Sequence, residues 1–234
     1  MVRCTSRSAS RVASAPGGGG ERAQSHTVEG TPVLPREVIR ATPEHFETCR
    51  AALGRAFENY PLMCYAAPEP GRRLSAVTSL YGSILWDSLR WGEVYTTSDF
   101  AGVSCWLPPG RATPGLVRLI RCGMLRLPLV FGWTGFQRLR AYDMVAQSLH
   151  HTYATENHWY LWVIGVQPED QGTGIGGRLM APIFARADAE STPCYLETHV
   201  ESNVAIYESK GFKVACKAEV PGHPLPIWAM LRKG

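Results

Sequence analysis

The sequence predicts one mixed α/β (α+β) domain over residues 37–234, preceded by an extension over residues 1–36. Three observations lead to this prediction. The 234 residues are 45% hydrophobic and 19% charged, which is typical of a globular protein of single-domain size. Strand-like and helix-like runs alternate through the last third of the chain. The composition changes sharply near residue 36, where large apolar side chains become frequent.

The extension is rich in Ser, Arg, Ala and Gly. Such a segment buries too little apolar surface to offset the entropy lost on ordering. Arg3, Arg7 and Arg11 precede its first acidic residue, Glu21, as in organelle transit peptides. No amphipathic stripe is visible, however. We therefore expect a disordered tail, with a transit peptide as the alternative.

The first elements of the domain follow in order. "VIRA", from Val38, is typical of a strand, and Thr42 with Pro43 predicts the start of a helix that ends before Pro61. A second helix is predicted over residues 72–89. "GEVYTTSD" and "AGVSCWLPPG" predict a β-hairpin around Asp99, and residues 111–150 predict helices with Gly and Pro interruptions.

The last third of the chain predicts four strands and two helices. The strands are "HWYLWVIGV", "PCYLETHV", "FKVACKAEV" and "PIWAMLRK". The helices are "TGIGGRLMAPIFARADAE" and "SNVAIYESKG". This order of strands and helices predicts a sheet covered by helices.

Charge, cysteines and hydropathy exclude several classes of function. The net charge of +4 is too small to indicate nucleic-acid binding. The seven cysteines lack a C-x-x-C pair, so we expect reduced thiols, no metal and a cytoplasmic location. The most apolar stretch, "PGLVRLIRCGMLRLPLVFGWTGF", is interrupted by Arg118, Arg121 and Arg126. We therefore expect no membrane span and no stable membrane association. A helix that covers the core or lines a cleft is the main interpretation, and a basic amphipathic surface helix is the alternative.

A glycine-rich turn, "QGTGIG" over residues 171–176, stands between a predicted strand and a predicted helix. The start of a helix presents unpaired N–H groups and partial positive charge, and glycine lets the backbone approach an anion closely. The turn therefore indicates a pyrophosphate site. The P-loop pattern is absent because the required Lys is missing. A dinucleotide-binding fold is disfavoured because too few strand–helix units follow the turn.

Two motifs in this region resemble those of the GCN5-related N-acetyltransferase (GNAT) superfamily. "GVQPEDQGTGIGGRLM" fits V-x-P-x-x-[QR]-G-x-G-[IL]-G from Val166 to Gly176, and "NVAIYESKGF" fits the second landmark from Asn203 to Phe212. The resemblance implies the GNAT fold, a mixed and mostly antiparallel central sheet with splayed strands flanked by helices. It also implies acetyl-CoA as the co-substrate.

The resemblance implies where acetyl-CoA binds. The splayed strands would be residues 159–166 and 194–198, with the pantetheine arm paired to the first. The implied cofactor-binding residues are Ile164, Gly165, Val166, Gln171, Gly172, Thr173, Gly174, Ile175, Gly176, Gly177 and Asn203. Arg178 is expected either to add positive charge or to be a solvated helix residue.

Acetyl transfer to an amine requires a base for the amine, stabilisation of the oxyanion and an acid for the thiolate. The resemblance implies Tyr207 as the acid. Glu197, at a strand end, is our candidate base, with His199 and Glu156 as rivals. Tyr60 and either Trp86 or Trp106 are expected to shape the acceptor pocket, and each has a core position as its alternative.

These residues predict an acetyl-CoA-dependent N-acetyltransferase that acts on the primary amine of a small molecule. Two alternatives stay open, a protein or peptide N-acetyltransferase and an acyl-CoA-binding sensor without turnover. The long apolar and aromatic region over residues 111–150 favours an enclosed small-molecule pocket.

Overall fold

A computed structural model describes residues 36–112, 115–155 and 157–234. Apart from Arg36, the predicted extension lies outside these residues, and its character stays a prediction. Arg36 pairs with Asp99, at 2.7 Å, and with Asp170. The described chain therefore begins in contact with the hairpin turn and with the turn that precedes the glycines.

A seven-stranded sheet is formed by the described residues, in the order β1-β2-β3-β4-β5-β7-β6. The strands are β1 (Val38–Arg40), β2 (Glu93–Thr97), β3 (Gly102–Leu107), β4 (Trp159–Val166), β5 (Cys194–Thr198), β6 (Lys213–Glu219) and β7 (Pro226–Arg232). Neighbouring strands are antiparallel except β4 and β5, which are parallel. The sheet is mixed and mostly antiparallel, as predicted.

Helices connect and cover these strands. They are α1 (Phe46–Phe57), α2 (Pro61–Ala66), α3 (Pro70–Trp91), α4 (Leu116–Arg121), α5 (Leu127–Tyr153), α6 (Ile175–Ala189) and α7 (Glu201–Glu208). Short 3₁₀ turns lie at Pro43–His45, Met124–Arg126 and Pro168–Asp170. α5 contains a non-helical residue, Gly132, at φ 68°.

Every predicted strand and helix of residues 37–234 is confirmed, with ends shifted by a few residues. The structure has one helix, α2, that the sequence does not predict, because Pro61 predicts the end of a helix. Proline is tolerated in the first turn of a helix, where its missing N–H would be unpaired anyway. Pro61 therefore starts α2, and Pro70 starts α3 two residues earlier than predicted.

The two faces of the sheet are covered by different helices. α1, α3 and α5 cover one face, where Leu53, Val77 and Tyr142 are buried in the larger core cluster. α6 covers the other face, where Met180 and Ile183 pack against Trp159. The resulting order of layers is helix, sheet, helix, and the ends of β4 and β5 lie between the two helical layers.

A buried ion pair joins α4 to α3. The Asp87 carboxylate is 0% exposed, and Arg118 donates to it from Nε, at 3.0 Å, and from Nη2. Arg118 also donates to the Arg111 carbonyl at 3.1 Å. The pairing turns Arg118 toward the core, so the other side of α4 faces solvent.

No helix in the part of the chain that the structure describes is both long and apolar enough to span a bilayer. The six cysteines within the described residues are free thiols.

Candidate active site

The strands β4 and β5 separate at their carboxyl ends. Over the described residues they pair at two positions, Trp159↔Cys194 and Tyr160↔Tyr195. Beyond these positions β4 follows β3 as far as Gly102↔Val166, whereas β5 follows β7 as far as Thr198↔Trp228. The predicted splay is therefore present, and it leaves a V-shaped opening between residues 161–166 and 196–198.

Ile164, Gly165 and Val166 form the end of the β4 arm of this opening. Helix α1 lies against the backbone there. A Cβ built on Gly165 would come within 2.8 Å of Phe57 Cε2 and 2.9 Å of Ala56 Cβ. Gly165 is therefore required by packing as well as being predicted to pair with pantetheine. Helix α1 therefore packs closely on one face of this arm.

The glycine turn follows directly from β4 and ends in α6. Gly172 and Gly174 have φ values of +77° and +81°, which side chains with a Cβ rarely adopt. A Cβ built on either glycine would meet no atom within 4 Å, and one built on Gly176 would meet only Ile164 Cδ1, at 3.9 Å. The start of α6 is therefore an open cradle of backbone amides, which fits a pyrophosphate.

The remaining residues of the turn hold this cradle in place. Ile175 is buried beside Ala101 and Leu179, so its side chain anchors the first turn of α6 in the core. The Gln171 side chain donates to the Val166 carbonyl at 3.1 Å, and Thr173 Oγ1 donates to the Asp170 carbonyl at 2.6 Å. The side chains of Gln171 and Thr173 therefore brace the turn, which leaves their main chain for an anion.

A lysine that sequence reasoning missed lies beside the cradle. Lys210 Nζ is 3.2 Å from the Cβ position of Gly177. Arg178, considered above as a source of positive charge, donates instead to the Arg36 carbonyl at 3.3 Å. The position of Lys210 just before the Gly-Phe of the second motif was the available signal, but the contact depends on how α7 packs beside α6.

Helix α7 follows β5 and carries two predicted site residues. Asn203 Nδ2 donates to Thr198 Oγ1 at 3.4 Å, which ties α7 to the end of β5. Tyr207 packs edge-on against Phe212, with ring centroids 5.9 Å apart. Burial, with a smaller contribution from nearby Tyr60, raises the pKa of Tyr207 above its ordinary value. Its hydroxyl therefore stays protonated at neutral pH and can act as a donor.

Glu197 lies on β5 in a buried, mostly aromatic environment. Tyr160 donates to its Oε2 at 2.9 Å, and its Oε1 is buried with no hydrogen-bond partner among the described residues. Burial raises the pKa of Glu197 to about 7, although the Tyr160 hydrogen bond opposes that rise. A pKa raised toward neutral pH suits a general base, because both protonation states are then accessible.

A histidine pair lies behind Glu197. His150 Nδ1 is 3.9 Å from Glu197 Oε1, and His150 Nε2 is 2.8 Å from His158 Nε2. Burial, and secondarily His158, lower the pKa of His150 to about 4. His150 is therefore neutral at pH 7, and its contact with Glu197 is not an ion pair.

Tyr60 and His199 lie together at the end of β5. The His199 backbone N–H donates to Tyr60 Oη at 3.1 Å, and the His199 ring lies 5.3 Å from the Tyr142 ring. Burial lowers the pKa of His199 to about 4, which makes it a far weaker base than Glu197. Glu156, the third candidate base, lies outside the described residues.

The two tryptophans do not join this group. Trp106 is 0% exposed and packs under α6 with Trp159 and Phe184, whereas Tyr60 packs with the cluster on the other face. Trp86 is half-buried on α3 and lines a groove with Ile120. The core position weighed for Trp106 therefore agrees with where the structure places it.

The chain is similar to known acetyltransferases in sequence. Residues 130–212 match the family model described as Acetyltransferase (GNAT) family. An uncharacterized N-acetyltransferase of Schizosaccharomyces pombe, C550.08, is 30% identical over 182 residues, which are 74% of this chain and 72% of that protein.

Solved structures share the fold. A Corynebacterium glutamicum structure described as histone acetyltransferase HPA2 and related acetyltransferase has a TM-score of 0.61 at 22% identity, over 83% of this chain and 94% of that chain. Arylalkylamine N-acetyltransferase 2 from Aedes aegypti has a TM-score of 0.54 at 12% identity, over 84% of this chain and 98% of that chain. At these identities the likeness concerns the fold.

Proposed function

The chain belongs to the GNAT family of N-acetyltransferases, and from that premise we propose that it transfers an acetyl group from acetyl-CoA to the primary amine of a small molecule. The acceptor attacks directly while both substrates are bound, and no covalent acetyl-enzyme forms. The observation that carries the proposal is the buried Glu197 carboxyl, with a pKa of about 7, on the β5 arm of the V-shaped opening.

Acetyl-CoA is held along the opening and the glycine cradle. The amides of Gly172, Gly174 and Gly176 are proposed to hold the pyrophosphate, with Lys210 as a further positive charge. The pantetheine arm is proposed to pair with the main chain of Ile164, Gly165 and Val166 as an added strand.

Proton transfers are assigned to two side chains. Glu197 removes a proton from the acceptor ammonium, and the free amine attacks the thioester carbonyl carbon. The carbon–sulfur bond then breaks, Tyr207 gives a proton to the departing thiolate, and the extra proton on the new amide nitrogen returns to the Tyr207 phenolate. The proton held by Glu197 passes to solvent. Asn203 holds α7 against Thr198, so we propose that it acts by positioning Tyr207 as well as by contacting the co-substrate.

Aromatic side chains support a small-molecule acceptor. Tyr60, Tyr142 and His199 lie together beside the end of β5, and burial keeps this group uncharged near neutral pH. The segments "AFENYP" and "WYLWVIGVQPEDQG" also resemble puromycin N-acetyltransferase, which acts on a small amine. That likeness concerns the kind of reaction and not the identity of the acceptor.

A screen of amines tests the proposal. Purified protein is incubated with acetyl-CoA and, in turn, an arylalkylamine, an aliphatic diamine, and a peptide with a free N-terminus and a lysine. Released CoA is measured with a thiol reagent. We expect release that depends on a small amine and falls in Glu197→Gln. Turnover with the peptide alone would instead favour a peptide acetyltransferase.

A second measurement separates the enzyme from a sensor. A sensor binds acetyl-CoA, seen as a thermal shift, but releases CoA at the uncatalysed rate, and Glu197→Gln and Tyr207→Phe leave that rate unchanged. An enzyme loses most of its turnover in both variants while the thermal shift persists.

A further inference from the structure

A second surface of the protein stands out for its exposed apolar side chains. Of the ten large apolar residues that are exposed within the described chain, six lie in the 18-residue segment from Leu116 to Trp133. They are Leu116, Val117, Ile120, Leu125, Leu129 and Trp133. Leu129 is 83% exposed and Trp133 is 64% exposed. We refer to residues 116–133 as the apolar segment. A concentration of large exposed apolar side chains in one short segment indicates an interaction site.

The apolar segment is held in place without these six side chains. Arg118 anchors α4 through its buried pair with Asp87. Leu127 is 8% exposed, and Phe131 packs against the larger core cluster, so they anchor the start of α5. The outward side chains therefore contribute little to folding, because the inward ones make the contacts with the rest of the domain.

The charged residues in and around the apolar segment, from residue 100 to residue 142, are all arginines. From Phe100 to Tyr142 the sequence contains six arginines and no aspartate or glutamate. Three of these arginines, Arg111, Arg121 and Arg126, are exposed on or beside the apolar segment. This imbalance is local, since the whole chain has a net charge of only +4.

Apolar and cationic side chains meet at one groove. Ile120, Arg121, Leu125 and Arg126 line it together with Trp86, and its volume is about 640 Å³. The one acidic residue of the lining, Glu47, is paired with Arg50, which also lines the groove. Arginine next to leucine and tryptophan is the composition of helices that lie at a membrane surface, where the apolar tips enter the interface and the cations meet lipid phosphates.

We propose that the apolar segment, residues 116–133, docks reversibly on an anionic phospholipid surface. Two such segments would repel each other, because neither carries an acidic side chain to pair with the arginines, so a second copy of this chain is disfavoured as the occupant. An anionic bilayer meets both requirements at once, with negative charge at its surface and an apolar interior beneath. The binding is peripheral, and its strength depends on salt.

Vesicle sedimentation of the full chain tests the proposal. The vesicles contain phosphatidylcholine alone or with about 30% phosphatidylserine. We expect binding to the anionic vesicles only, and release at about 0.5 M NaCl because screening removes the attraction of the arginines. Absence of binding to anionic vesicles at low salt would overturn the proposal.

Variants assign the binding to the apolar segment. We expect Leu129→Ser with Trp133→Ser to lower the partition coefficient at least about tenfold, and Arg121→Gln with Arg126→Gln to lower it about twenty-fold. The matched controls are Met144→Ser, at a residue that is 61% exposed on α5, and Lys213→Gln, at an exposed cation on β6. Both controls should bind like the wild type.

Two results would refute the assignment. In the first, both segment variants bind as well as the wild type, which would place the binding elsewhere, for example in the basic residues 1–35. In the second, light scattering shows a dimer that Trp133→Ser converts to a monomer, which would make a second copy the occupant. Acetyl transfer to a soluble amine should be unchanged in all four variants, so this proposal and the proposed function fail independently.

Discussion

At the residue scale, Glu197 shows what a sequence can and cannot reveal about a site. Its place at the end of a strand beside a second motif was enough to make it a candidate base. Its buried environment was not predictable, because Tyr160 and His150 reach it from β4 and α5, which are distant in sequence. The burial that these neighbours help to create raises the pKa of Glu197, and it exists only once the sheet has formed.

Replacing Glu197 by Gln should reduce kcat by about 10²- to 10⁴-fold, because the variant lacks the proposed general base. In the wild type, kcat/KM should rise with pH and level off above a pKa of about 7, since the carboxyl must be ionised to accept a proton. Rates measured from pH 5 to 9 check both points. A variant that keeps the same rising limb would exclude Glu197 as the base.

Replacing Tyr207 by Phe should lower kcat about 100-fold, because the thiolate then leaves without a proton donor. The ring remains, so its packing against Phe212 and the dissociation constant for acetyl-CoA should change little. Single-turnover rates and calorimetric titration separate the two effects. An equal loss of acetyl-CoA affinity and of kcat would indicate a structural role for Tyr207.

At the element scale, the glycine turn was predictable, whereas helix α4 was only partly so. The positions of the glycines are set by the local backbone conformation. Gly172 and Gly174 have the positive φ values that such a turn requires. The ends of α4 and the orientation of its faces were not predictable, because they depend on the tertiary pair between Arg118 and Asp87.

Gly174→Ala should weaken acetyl-CoA binding at least tenfold, because a residue with a Cβ disfavours φ +81° and the cradle must rearrange. Gly110→Ala is the matched control, since Gly110 has φ +76° and is equally free of neighbours. Both variants should lose about 1 kcal/mol of stability. Thermal melts with and without acetyl-CoA test this, and equal ligand responses in both variants would contradict it.

Arg118→Gln should destabilise the protein by about 3–5 kcal/mol, because it leaves the buried Asp87 carboxylate without its charged partner. Arg121 lies on the same helix and is exposed, so Arg121→Gln should change stability by less than about 0.5 kcal/mol. Urea unfolding of the two variants gives the comparison. Similar midpoints would show that the pair does not hold α4.

At the scale of the whole molecule, the order of elements in the last third predicts a sheet covered by helices. Periodic apolar residues indicate each strand and helix, and the resemblance to the GNAT superfamily implies the mostly antiparallel order and which two strands separate. The sequence did not reveal that α1 packs on Gly165, or that Lys210 reaches Gly177. Both contacts join residues that are far apart in the sequence, so no local sequence pattern predicts them.

The free energy of unfolding of the domain should depend on pH through Glu197. Its folded pKa of about 7 lies above its ordinary value, so the folded state binds more protons between the two pKa values, and stability falls as pH rises through that window. Glu197→Gln should therefore gain roughly 3 kcal/mol relative to the wild type between about pH 4 and pH 8. Urea titrations at both pH values measure it, and a constant difference would refute the expectation.

The separation of β4 from β5 divides the central sheet into two blocks of strands. Within the described residues, β1, β2, β3 and β4 form one block, and β5, β7 and β6 form the other. The two blocks pair at a seam of two register positions, and α6 connects one block to the other. In the proposed binding mode, the pantetheine arm pairs with the main chain of β4 at that seam. We therefore expect hydrogen exchange near the seam to be slower with acetyl-CoA bound than in the free protein, although the two core clusters join the blocks in both states.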